Sequence, residues 1–178
     1  MRRLLILLFA LAGLTVPAED TNLLSRIAFG AGLNTDKPQP IWSAVRDSEP
    51  QQFILLSVTG TNAFGGTNIP MWRAQGREAR VFGPPGKQVQ VIVLDTMARR
   101  EPPSFGALLG PEQWTWFREQ LRQPAQLRVV ASSLPVLSED HRGEKWADWP
   151  HERTKLFDMI SDTEADGVMF ISGNIDHA

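Results

Sequence analysis

The chain contains no cysteine and no tyrosine. Without cysteine there can be no disulfide, no thiolate nucleophile and no sulfur ligand, so core packing must hold the fold even in an oxidising compartment. The missing tyrosine removes phenolic ligands and acids. An excess of positive charge is also lacking. The formal net charge is -2, which leaves no basic surface to argue for a nucleic-acid partner. Long apolar runs are scarce. Leu4 to Leu14 is the main one, and it falls short of the roughly 20 apolar residues that cross a bilayer comfortably. No internal repeat and no break in composition marks a second domain.

What is present fits a globular protein. The 178 residues are 42% apolar and 21% charged, enough for one domain with a sizeable core. Arg2 and Arg3, the apolar run after them and the small residues at Val16-Pro17-Ala18 have the layout of a secretory signal. Residues 1–18 are therefore predicted to be a removed signal peptide, leaving a domain over 19–178 without a transmembrane segment. Its expected location is periplasmic or extracellular. An uncleaved membrane anchor is the other reading of the same stretch.

Along the rest of the chain, strand-length apolar runs alternate with helical patterns. Arg26–Gly30, Phe53–Leu56, Val89–Leu94, Leu127–Ala131 and Val168–Ile171 read as strands. Pro40 to Ser48 reads as a helix with Ile41, Ala44 and Val45 on one face. Gly110-Pro111-Glu112 opens a helix whose Trp114, Phe117 and Leu121 share a side, and Pro150 opens one with Leu156, Phe157 and Ile160 inward. Gly60 to Gly76 reads as a polar loop and Gly83–Gly86 as a turn. The alternation predicts an α/β fold.

The final strand ends in Ser172-Gly173 and hands on to Asn174, Ile175, Asp176, His177 and Ala178. Polar side chains at the carboxyl end of a strand stand where α/β proteins build their sites. Asn174 and Asp176 fall on one side if the strand geometry continues. With His177 they form a candidate metal-ligating set, set against the plainer reading of a frayed polar terminus. Asp95, closing the Val89–Leu94 strand, either faces a site or caps the turn that follows. Gly30-Ala31-Gly32 is a weak signal for backbone N–H groups that meet an anion.

A more specific pattern runs through the second half. Gly83-Pro84-Pro85-Gly86-Lys87 followed by Val89 to Thr96, Leu109-Gly110-Pro111-Glu112-Gln113-Trp114, Ser132-Ser133-Leu134-Pro135-Val136-Leu137, Glu144-Lys145-Trp146 and Glu152-Arg153 occur in order. Together they resemble the alkaline phosphatase D (PhoD-like) family over roughly residues 80 to 178. Arg26–Gly30 and Lys37–Trp42 extend the resemblance toward the N-terminus. It implies a metallophosphoesterase-like sandwich of two packed sheets flanked by helices, with phosphoester hydrolysis at a site of two or more divalent ions: calcium, iron, manganese or zinc. A small phosphoester would be the substrate. His141 matches a family histidine that could donate to a phosphoryl oxygen or leaving group. Arg142 beside it could pair with phosphate, the alternative for both being a solvated loop.

The sequence departs from the family where ligands are expected. The family's Ser-Cys after the first strand is Ala31-Gly32 here. Its Gly-Asp-Asn-Ile-Tyr is replaced by Ser57-Val58-Thr59-Gly60, with Val58 at a ligand aspartate. The Trp-Asp-Asp-His-Asp block has no counterpart between Thr67 and Arg80. The closing Ser-Gly-Asp-Arg-His becomes Ser172-Gly173-Asn174-Ile175-Asp176. The expected protein is a shortened, incomplete and catalytically impaired family member that does not hold its ions tightly. The alternatives are a non-enzymatic binding or remnant scaffold, or a fragment of a longer phosphatase.

Overall fold

The structure is a computed structural model describing residues 23–173, apart from 35, 39, 60–70, 75 and 140–142; Val58 and Thr59 are described by their backbone only. In chain order its elements are β1 (Ile27–Gly30), β2 (Leu33–Asn34), α1 (Ile41–Asp47), β3 (Gln52–Leu55), β4 (Val58–Thr59), β5 (Met71–Arg73), β6 (Glu78–Phe82), β7 (Val89–Leu94), α2 (Pro111–Leu121), β8 (Leu127–Ser132), a 3₁₀ turn at Trp146–Asp148, α3 (Pro150–Asp162) and β9 (Val168–Ser172). The expected α/β fold is present.

Two main sheets form. The first has the order β1-β3-β5 and is parallel throughout. The second has the order β6-β7-β8-β9, with β6 antiparallel on one edge and the rest parallel. A short parallel pair, β2 with β4, extends past the end of the first sheet.

The alternation of side chains along a strand distributes each strand's apolar residues between two cores. In β3 and just beyond it, Ile54 and Leu56 meet Val91, Val93, Val129, Ala131 and Ile171 of the second sheet. Phe53 and Leu55 point the other way, onto Trp42 and Val45 of α1. In β7, Ile92 and Leu94 turn from the intersheet layer to Trp114, Phe117 and Leu121 of α2 and to Leu156 and Met159 of α3. The layers therefore run α1, first sheet, second sheet, α2 with α3. Burying both faces explains why β7 and β8 read as continuous apolar runs rather than alternating ones. Each fully buried Ile, Val or Leu contributes about 1.5–3 kcal/mol.

The structure differs from the sequence reading in three places. The loop expected over Gly60–Gly76 contains β5, whose Trp72 is buried between the sheets. Three residues are too few to show a period. β6 was not foreseen because Glu78 and Arg80 interrupt it, which an antiparallel edge strand tolerates. Phe157 does not face the core. It is 37% exposed and lies edge-on to Phe170 at 6.1 Å, while the buried stripe of α3 is Glu152, Leu156 and Met159. The strand expected at Val168–Ile171 is β9, an edge strand in which Ile171 is buried and Met169 exposed.

Candidate functional site

The parallel strands of both sheets end on one side of the molecule. Gly173, just after β9, sits where the two sheets meet. A Cβ added there would lie 2.7 Å from that of Leu56, after β3, and 2.8 Å from that of Ala31, after β1. The Gly173 N–H donates to the Ser132 carbonyl at the end of β8 (3.2 Å). The described chain thus ends at the seam between the sheets. Asn174, Asp176 and His177, the predicted metal set, lie outside the described residues, as do His141 and Arg142.

The described residues on either side of positions 140–142 form ion pairs. Before them, Glu139 accepts from the Arg153 guanidinium of α3 (3.1 Å). After them, Glu144 pairs with Arg100 of the β7–α2 connection.

Around the seam, several of the described polar groups are committed to their neighbours. Gly32 takes φ +70° and donates its N–H to Ser57 Oγ (2.7 Å). That N–H, one of those expected to meet an anion, is already used. Ser132 Oγ accepts from Trp146 Nε1 (3.0 Å) and donates to the Leu134 carbonyl (2.8 Å). The buried hydroxyls of Thr96 and Ser133 bond to each other. Asp95 adopts the turn-capping alternative: its Oδ1 accepts from the N–H groups of Met97 (2.9 Å) and Ala98 (3.0 Å). Its backbone is held by the Gln113 side chain, which accepts from the Asp95 N–H (2.8 Å) and donates to its carbonyl (2.7 Å).

Among the described residues, these strand ends bring together no group of three or more acidic or histidine side chains such as a centre of several metal ions requires. Gly32 has no side chain, the hydroxyls of Thr96, Ser132 and Ser133 are bonded within the protein, and one oxygen of Asp95 is taken by two backbone donors. Such a centre needs several fixed carboxylate or imidazole ligands drawn from different strands.

Sequence reasoning missed Glu152. It is 5% exposed, in the first turn of α3. Its Oε2 accepts from the N–H groups of Leu108 (2.9 Å) and Leu109 (3.1 Å), and its carboxylate also accepts from Trp114 Nε1 (3.1 Å). Lys155 places its ammonium 4.6 Å from the centre of the Trp114 ring. One carboxylate therefore ties the β7–α2 connection, α2 and α3 together. The Pro-x-Glu helix start was visible in the sequence, but its distant donors were not.

At the opposite edge, Arg128, the second residue of β8, donates to the carbonyls of Gln123, Ala125 and Asp166. Burial pushes its guanidinium below the ordinary arginine range, and the Asp166 charge pulls it back up. Its partners are the chain ends around α2 and β9, which gives it a structural role.

Comparison with family models, curated proteins and solved structures finds no match to this chain.

Proposed function

We propose that the chain is an exported PhoD-like phosphatase-family protein whose phosphoester-hydrolysing site is impaired. The proposal rests on the ordered motifs of the second half together with one structural observation. Two sheets pack between helices, and Gly173, Ala31 and Leu56 bring the carboxyl ends of β9, β1 and β3 to one seam. A metallophosphoesterase-like sandwich would build its site there. The impairment is supported by what the described ends carry: a glycine, the hydroxyls of Ser57, Thr96, Ser132 and Ser133 bonded within the protein, and a turn-capping aspartate. Water activation next to a phosphoryl group needs a cation held by several fixed ligands.

The deciding experiment is an assay of purified protein against aryl phosphate mono- and diesters, with calcium, iron, manganese and zinc in turn. Negligible turnover under every condition is the expected result. Turnover that tracks metal stoichiometry and disappears in Asp176→Ala would replace this reading with that of a rebuilt site.

A further inference from the structure

A surface cleft of about 310 Å³ opens between the start of β6 and the start of α2. Arg77, Arg99, Asp95, Glu112, Leu109 and Gln113 line it. Arg77 immediately precedes β6, and Arg99 lies in the β7–α2 connection.

The two arginines are placed without the help of a carboxylate. The Arg77 guanidinium stands over the Trp116 ring, 5.7 Å from its centre. The Arg99 stem lies along Gly110, where an added Cβ would come within 3.3 Å of both its Cβ and Cγ. Among the described residues neither guanidinium forms an ion pair. Arg26, Arg100 and Arg153, by contrast, pair with Glu49, Glu144 and Glu139. Two unpaired guanidiniums lining one cleft suit an oxyanion, because each offers a planar fork of donors to its oxygens.

The carboxylates narrow the ligand further. Asp95 has one oxygen occupied by backbone N–H groups. Glu112 lies in the first turn of α2, its Oε2 3.8 Å from the Cβ position at Gly110. A bare anion would meet this negative charge beside the arginines. A ligand that carries a cationic donor a few bonds from its oxyanion would satisfy both signs.

We propose that this cleft binds a small zwitterion, with its phosphate or carboxylate on Arg77 and Arg99 and its ammonium toward Glu112. The site uses neither Asn174, Asp176 nor His177, so it stands independently of the phosphatase reading.

The test is isothermal titration of the whole protein with four probes. Phosphoethanolamine and β-alanine carry both charges, whereas inorganic phosphate and acetate lack the ammonium. Saturable binding of at least one zwitterion, at least tenfold tighter than its simple anion, is expected. Whether phosphoethanolamine or β-alanine binds tells phosphate from carboxylate. Arg99→Gln should weaken that binding at least tenfold, Arg77→Gln likewise, and Glu112→Gln should erase the preference for the zwitterion. Thermal melts accompany each variant. If Arg77→Gln melts early through loss of its stack on Trp116, the exposed Arg99→Gln variant decides alone. Absence of saturable binding by both zwitterions, or unchanged binding in a folded Arg99→Gln protein, would overturn the proposal.

Discussion

Gly173 and Leu56 touch across the two sheets: a side chain on Gly173 would fall 2.7 Å from the Leu56 Cβ. The end of the last strand and the end of the central strand of the first sheet are closer here than two side chains allow. Replacement of Gly173 by Val should therefore force the sheets apart at the seam. The expected cost is about 1–3 kcal/mol, the usual range for overpacking, read from denaturant unfolding. Ala has the same clashing Cβ and should cost a measurable part of this.

Glu152 carries the second prediction. Glu152→Ala strips the acceptor from two backbone N–H groups and from the indole of Trp114. Leaving buried donors unpaired costs about 1–3 kcal/mol each before relaxation, so a loss of about 3 kcal/mol is expected. Glu152→Gln keeps one oxygen acceptor and should lose roughly half as much by the same reasoning. Equal stability of the Ala variant and the parent protein would show that these bonds contribute nothing net.

Phosphoesterase activity should stay negligible with every divalent metal tried, for the reasons given by the strand ends. The corresponding binding measurement is direct. Metal content after dialysis should be far below one ion per chain, and Asp176→Ala should not change it.

Export is expected with cleavage near Ala18, on the strength of the Arg2-Arg3 start and the apolar run that follows. Mass spectrometry of protein recovered outside the cytoplasm should find an N-terminus close to Glu19. Recovery of chains that still begin at Met1 would count against it.

Where local pattern was strong, the sequence was sufficient. The unbroken apolar run Val89–Leu94 made β7 readable, and Trp114, Phe117 and Leu121 made the inward face of α2 readable. Strand length and helical period are properties of a few neighbouring residues. The absence of cysteine settled the absence of disulfides just as directly. Tertiary structure decided everything that depended on partners far along the chain. Met71–Arg73 becomes a strand because β3 offers it a paired edge. Phe157 is turned aside because Phe170 meets it on an edge strand. Asp95 could cap or face a site as far as its neighbours showed, and the N–H groups of the turn it closes took its oxygen. The meeting of Gly173 with Ala31 and Leu56, which defines the seam, joins three strand ends from two sheets. Local propensity carries no information on that contact, because only sheet order and intersheet packing bring those backbones within reach.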